Sequence, residues 1–393
     1  MSDHLHYFAG AAGVTAVALP FSLDDFTRDW SRLRPAMIRE MPPQFARDEW
    51  AYLVTFLGEE NLAAAFARAF GTRMTEAPGK LSFLARPRGP VAVWLPNNVS
   101  LLGPLILVML SATGNSLRLK GGSHSEDLAG VFLDFARRSL PPGPARACLL
   151  ERVVHDVFER DDPRHRAMAA EAKVRIVFGS DAAAEAIHAL PHPLSSAGFS
   201  FVDRRSEAWI ESAALDDGVL RDLIKVFTIY GQAGCTSPRR VVLLGGDRAE
   251  TIALRDRLLE LWPDTVRRPP QIHQASENIM ARQWAAANGW DARLAPQNSA
   301  VLAAGEIDCP EFGGSMSLMI AGGTVERAVA SLPANIQTLG CAFARPEDPR
   351  WTSLVAGTGI LRLASIPRMH HFGPVWDGQD FWAACFEPVA IQT

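Results

Sequence analysis

From Val91 onward, short uncharged apolar runs alternate with longer segments whose apolar residues recur at helical spacing, and few folds accommodate that pattern. A parallel strand is covered on both faces and needs a crossover to reach its neighbour, so buried runs joined by amphipathic helices point to parallel sheets. The spacing predicts strands over Val91–Leu95, Ser116–Lys120, Leu149–Val154 and Val174–Phe178. It predicts helices over Leu101–Thr113, Glu126–Arg138, Asp162–Ala172 and Asp181–Ala189. Together they read as an α/β, doubly wound arrangement of the nucleotide-binding kind. Composition shifts near Leu190–Pro193, and a second α/β segment is expected from Phe199–Val202. It should hold a helix over Leu215–Tyr230, a strand over Val241–Leu244 and a helix over Asp247–Leu261 capped by Asp247. A further strand and helix are expected over Ser315–Ala321 and Thr324–Ser331. Ahead of Val91, Ser22 to Phe70 is helical in pattern, with Pro35 and Pro42-Pro43 as breaks.

Composition removes several function classes. Lys and Arg number 39 against 43 Asp and Glu, a formal charge of −4, too balanced for a chain held to nucleic acid by phosphate contacts. The five cysteines are scattered and form no C-x-x-C pair, which excludes metal fingers and disulfide scaffolds and suits a reducing, cytoplasmic setting. The N-terminus lacks the positive region of a secretory signal. Val91 to Leu117 is uncharged, but Pro96-Asn97-Asn98 and Gly103-Pro104 divide it, so buried strand followed by buried helix is expected rather than a membrane span.

None of G-x-G-x-x-G, a Walker loop, G-x-S-x-G or H-E-x-x-H is present. The segment Gly231-Gln232-Ala233-Gly234-Cys235-Thr236-Ser237-Pro238-Arg239 sets a cysteine among small and polar residues between a predicted helix and a predicted strand. A packing cysteine belongs in an apolar run, as Cys148 and Cys385 do, whereas a nucleophile needs exposure and nearby donors. Cys235 is therefore either a nucleophile or a plain loop cysteine. Arg239-Arg240 could lower its pKa or could simply open a solvated strand. Ser180 opens a predicted helix, as a cap or as part of a phosphate site. His370-His371 has no carboxylate or cysteine at ligand spacing and reads as a loop pair; no metal site is expected.

Leu95-Pro96-Asn97-Asn98, Ala112-Thr113-Gly114-Asn115 and Leu119-Lys120 resemble, in residues and spacing, the cofactor-binding segment of the aldehyde dehydrogenase superfamily. Val177-Phe178-Gly179-Ser180 is similar to that superfamily's Phe-Thr-Gly-Ser turn, and the interval from Ser180 to Cys235 also agrees. Within the superfamily, the Cys235 segment, Ile366-Pro367-Arg368 and Trp376-Asp377-Gly378 look most like the LuxC family of acyl-CoA reductases. The resemblance implies a Rossmann-like cofactor domain beside an α/β catalytic domain. It implies boundaries of 1–80 for an N-terminal helical segment, 81–195 for an NADP-binding domain, 196–365 for the catalytic domain, and 366–393 for a tail packed on the cofactor domain or an oligomer partner. It also implies roles for single residues: Cys235 as acyl-accepting nucleophile, Asn97 as oxyanion donor, Lys120 at the adenosine ribose, and Gly179 and Ser180 at the pyrophosphate. Glu311, in Pro310-Glu311-Phe312-Gly313, falls one position from the glutamate that holds the nicotinamide ribose.

Two departures sharpen the expected reaction. Where ordinary aldehyde dehydrogenases carry the glutamate that activates water, this chain reads Phe201-Val202-Asp203-Arg204-Arg205, which suits transfer between thiols better than hydrolysis. Asp203 is the remaining candidate for a displaced base. Where NAD-preferring relatives place a glutamate three residues after the lysine, this chain has Ser123, which favours NADPH over NADH. The expected reaction is reduction of a fatty acyl-CoA or other acyl thioester to the aldehyde through an acyl-cysteine, with coenzyme A leaving. Expected partners are the thioester, an acyl-activating or acyl-transferring protein, and further copies of the chain. The alternatives are an aldehyde-oxidising dehydrogenase and a catalytically silent subunit that docks a partner.

Overall fold

The structure, a computed structural model, describes residues 4–266 and 272–392, and its chain divides into a first unit of Met1–Val202 with Phe372–Thr393 and a second of Asp203–His371. The first unit does not open as a helical segment. Its N-terminal residues fold as a hairpin of β1 (His4–Gly10) and β2 (Gly13–Leu19), because His6 and Phe8 turn inward two residues apart, the period of a strand. Three helices follow, α1 (Leu23–Arg39), α2 (Arg47–Phe56) and α3 (Glu59–Phe70), then β3 (Thr72–Met74) and β4 (Phe83–Pro87). Helix α1 runs through Pro35 instead of breaking there. Phe26, Trp30, Leu33 and Met37 form one buried stripe on both sides of the proline, and burying that stripe outweighs a proline cost of about 3 kcal/mol. The last strand of the chain, β17 (Phe386–Ala390), pairs antiparallel with β4, giving the sheet order β17-β4-β2-β1-β3. Phe66 meets Trp382 at 4.8 Å and Phe70 meets Phe386 at 5.1 Å between ring centroids, so the segment that joins this unit starts at Phe372 and not at 366.

The same unit carries a parallel sheet in the order β7-β6-β5-β8-β9. Its elements are β5 (Val91–Trp94), α4 (Leu102–Ser111), β6 (Leu117–Gly121), α5 (Leu128–Ser139), α6 (Pro144–Glu151), β7 (Val153–Val157), α7 (Arg164–Glu171), β8 (Val174–Phe178), α8 (Asp181–His188) and β9 (Ala197–Phe201). All of β5 and β8 is buried, as strands covered on both faces must be. The stretch from Val91 to Leu117 is β5, a turn and the buried helix α4, and among the described residues no helix is long and apolar enough to cross a membrane. Two sequence expectations are corrected. Leu149 belongs to α6 and not to a strand, since Ala145, Cys148 and Leu149 bury one helical face. The strand near Phe199 closes this first sheet against β8 instead of opening a second segment, which moves the division from 195 to Val202/Asp203. The strand order reverses between the parallel neighbours β5 and β8, and in such sheets ligands lie outside the carboxyl ends of the strands at that switch.

The second unit is one seven-stranded sheet in the order β12-β13-β14-β11-β10-β15-β16, parallel except for the edge strand β12. Its strands are β10 (Arg205–Glu211), β11 (Pro238–Leu244), β12 (Asp291–Leu294), β13 (Val301–Glu306), β14 (Ser317–Gly323), β15 (Ile336–Ala342) and β16 (Arg362–Ser365). Its helices are α9 (Asp217–Thr228), α10 (Arg248–Thr265), α11 (Ile272–Ala287), α12 (Val325–Ala330) and α13 (Pro349–Ala356). Ala208 and Ile210 pack on one face with Leu223, Phe227 and Trp262, while Trp209 faces the other with Leu339 and Trp351. Asp247 caps α10 as expected, its side chain accepting from Glu250 N–H while Glu250 reaches back to the Asp247 amide. Cys235 lies in the turn from α9 into β11.

Candidate active site

In the first unit, register pairs Trp94 with both Lys120 and Val177, so the segments after β5, β6 and β8 leave the sheet on one edge. Asn97, Lys120, Ser123, Gly179 and Ser180 all lie on that edge. The Asn97 side-chain oxygen accepts from His124 N–H at 3.1 Å, which fixes the amide and leaves its NH₂ as a donor. Gly122 permits this approach, because a Cβ there would lie 2.5 Å from that oxygen. Lys120 is 9% exposed, with its ammonium 5.8 Å from the Phe158 ring centroid. Burial pulls its pKa down, and the neighbouring Glu159 carboxylate partly restores it. Glu159 also stands 3.9 Å from His124 Nε2. Nothing in the local sequence marked Glu159; the pairing of β7 with β6 brings it to the edge.

Ser180 caps α8, accepting from Ala183 N–H at 3.3 Å, and its own hydroxyl hydrogen remains available to donate. Gly179 is open above: a Cβ there would meet nothing closer than Ala183 Cβ at 3.5 Å. The edge therefore offers a helix N-terminus, an uncovered glycine and a buried cation, a donor set that fits a phosphate-bearing dinucleotide.

In the second unit the Cys235 turn is held on several sides. Gly231 and Gln232 both take positive φ, +56° and +60°, a conformation that costs a non-glycine residue about 1 kcal/mol. Gln232 holds it by donating to Pro238 O at 3.1 Å and Ser317 O at 2.8 Å while accepting from Ser317 N–H at 2.9 Å. Ser206 Oγ donates to the Cys235 carbonyl at 2.7 Å. Gln337 Nε2 lies 3.3 Å from Cys235 Sγ and donates to it. The next residue, Thr236, donates to His370 Nδ1 at 2.6 Å, and His370 Nε2–H donates to Val226 O at 2.6 Å. Burial holds the His370 pKa down at about 4, so the ring is neutral at physiological pH. His370 lies in a loop, as expected, and from there it positions the turn through Thr236.

Three of the other cysteines differ. Cys148 and Cys385 are buried, and burial pushes each thiol up to about 12; Cys341 is pushed up to about 11. Cys235 is partly exposed. Arg240 is neither solvated nor aimed at the thiol. It donates to buried Glu207 at 2.7 Å and to Ser331 O at 2.8 Å. Asp203 opens the unit with its carbonyl accepting from Asn335, and Phe201, in the first unit, stacks on Phe178 at 4.7 Å. Glu311 lies between β13 and β14, paired with Arg205. Among the described residues no group of three or more His, Cys, Asp or Glu could hold a metal ion.

The profile of one family, acyl-CoA reductase (LuxC), matches residues 29–302, more than half of the chain. The chain belongs to the LuxC acyl-CoA reductase family. It is accordingly an oxidoreductase. No curated protein matches the sequence. Among solved structures, the LuxC-family chain resembles an NAD-dependent aldehyde dehydrogenase from Sinorhizobium meliloti at 13% identity and TM-score 0.67, over 94% of this chain and 82% of that one. A putative aldehyde dehydrogenase from Burkholderia cenocepacia matches at 15% identity and TM-score 0.65, over 95% and 88%. A 1-pyrroline-5-carboxylate dehydrogenase from Thermus with bound NAD matches at 14% and 0.63, over 94% and 81%. The chain spans only 43% of proline utilization A, another neighbour, at 14% identity and TM-score 0.64. These likenesses establish the aldehyde dehydrogenase fold for this LuxC-family member.

Proposed function

We propose that this chain reduces a fatty acyl thioester to the aldehyde, with the acyl group carried on Cys235 and NADPH as coenzyme. The observation that carries the reading is the Cys235 turn: a partly exposed thiol whose sulfur accepts an amide N–H, in a backbone pinned by Gln232, Ser206 and the Thr236–His370 pair. The thiolate attacks the thioester carbonyl, a tetrahedral oxyanion forms, and its collapse expels the coenzyme A thiolate, which takes a proton from solvent. The family's pattern assigns the oxyanion to the Asn97 amide and the Cys235 backbone N–H. Lys120 and the Gly179–Ser180 turn would hold a dinucleotide, with Glu311 the candidate for its nicotinamide ribose, and the bound coenzyme would supply hydride to the acyl carbon. Cys235 then leaves as thiolate while the aldehyde carbonyl re-forms, so the sulfur ends as it began. Phe201-Val202-Asp203-Arg204-Arg205 stands where relatives carry the water-activating glutamate, and with only Asp203 as a candidate base this favours exchange between thiols over loss of the acyl group to water.

Ser123 at the ribose end supports NADPH, since it presents no carboxylate to a 2′-phosphate beside Lys120. The acyl donor is a thioester of coenzyme A or of an acyl-transferring protein, and the working form is an oligomer of this chain. The test is incubation with a long-chain acyl-CoA and NADPH, following coenzyme oxidation and aldehyde by mass spectrometry. Thioester-dependent oxidation with matching aldehyde is expected. Coenzyme reduction by aldehyde without coenzyme A, and no thioester reduction, would replace this reading with the dehydrogenase one.

A further inference from the structure

Strand β10 is flanked by β11 and β15, and both neighbours carry an extra residue at the same level. Register runs Ser206↔Pro238 then Glu207↔Arg240 on one side, and Arg205↔Ile336 then Glu207↔Leu339 on the other. Ser206 therefore faces a bulge in each neighbour, and bulges re-aim side chains. Ser206 uses the distortion by accepting from Thr338 N–H at 3.3 Å while donating to the Cys235 carbonyl at 2.7 Å. The residue that the β15 bulge presents is Gln337, only 1% exposed, whose amide nitrogen sits 3.3 Å from Cys235 Sγ. A primary amide in the buried part of a sheet is costly unless its hydrogen bonds are made. Here one of them ends on the sulfur of the candidate nucleophile.

We propose that Gln337 is a catalytic residue that stabilises the Cys235 thiolate by donating a charge-assisted hydrogen bond to its sulfur. The proposal rests on the reading of Cys235 as the nucleophile and adds how that sulfur is activated. The thiol proton goes to solvent, and the amide N–H remains on the sulfur. An amide carries no charge and does not titrate, so it favours the anion without acting as a base toward water. A donor of this type suits a thioester that must survive until it is reduced. The bond favours thiolate over thiol, so it lowers the Cys235 pKa, and it re-forms when the thiolate leaves at the end of the cycle. Sequence could not point to Gln337, which lies 102 residues from Cys235 and reaches it through the bulged pairing of β15 with β10.

The test is the pH dependence of iodoacetamide labelling at Cys235, read by peptide mass spectrometry on the full chain, with Gln337→Met and Gln337→Glu alongside. Wild-type Cys235 should titrate below the ordinary thiol value of about 8.5. Gln337→Met should move that midpoint up by about one unit or more, leaving roughly tenfold less thiolate at neutral pH. Gln337→Glu, which sets a carboxylate against the sulfur, should move it further still. A wild-type midpoint at or above the ordinary value overturns the proposal without any variant. So does a Met or Glu variant, folded by circular dichroism, whose profile superimposes on the wild type. Labelling requires neither thioester nor coenzyme, so the two readings fail separately. Cys235 with the shifted midpoints but never acylated would retire the reductase reading alone, and acylation without the shifts would retire the role of Gln337 alone.

Discussion

His370 gives the turn a pH dependence that can be worked out in advance. Its ring is neutral in the folded chain, with Nε2–H on Val226 O and Nδ1 accepting from Thr236, and burial sets its pKa at about 4 against an ordinary 6.5. Between those values the unfolded chain binds the extra proton and the folded chain does not, so this group's contribution is fully present above about pH 6.5 and is lost as pH falls toward about 4. From pH 7.5 to pH 4.5 the loss amounts to about 2.5 kcal/mol, taking roughly 1.4 kcal/mol per pKa unit. The perturbation is His370→Gln, which keeps a polar side chain but cannot titrate. Urea unfolding of both proteins at the two pH values isolates the term, since every other titrating group is common to the pair. The stability gap between wild type and variant should shrink by about 2.5 kcal/mol on acidification. A gap that does not change with pH would refute both the neutral ring and its role in holding Thr236.

Other consequences follow from the two units separately. Replacing Glu159 with Gln removes the carboxylate nearest Lys120 and should lower the KM for NADPH several-fold with little change for NADH, measured by initial rates with each coenzyme. An unchanged ratio would mean that Glu159 has no part in coenzyme choice. Arg240→Met strands Glu207, whose carboxyl burial already pushes up in pKa, and should destabilise the chain by about 3–5 kcal/mol in denaturant titration. The double variant with Glu207→Gln should recover much of that loss.

What the sequence disclosed follows the range of the interactions involved. Strand β8, the Asp247 cap and the helix opened by Ser180 depend on neighbours within a turn or two, and their residues carry the signal. Cys235 was legible for the same reason, because its small and polar neighbours are local. Strand β10 was not, since Arg205, Glu207 and Glu211 hide a buried strand whose central charge is answered by Arg240 on the next strand. The N-terminal hairpin was missed because residues 1–80 read together as a helical segment, and Pro35 was given a breaking role that the buried face of α1 overrides. Gln337 and Glu159 were invisible as site residues, and His370 was noticed only as half of a loop pair. Each reaches its partner through strand pairing or packing between distant parts of the chain, and a glutamine in Ile336-Gln337-Thr338-Leu339 carries no local mark of the sulfur beside it.

The central claim is that Cys235 carries the acyl group, and intact mass spectrometry after incubation with a long-chain acyl-CoA, without coenzyme, tests it most directly. The wild-type chain should gain the mass of one acyl group, lose it when a nicotinamide coenzyme is added, and release aldehyde, while Cys235→Ala gains nothing. An adduct of equal size on the Cys235→Ala variant would contradict the account.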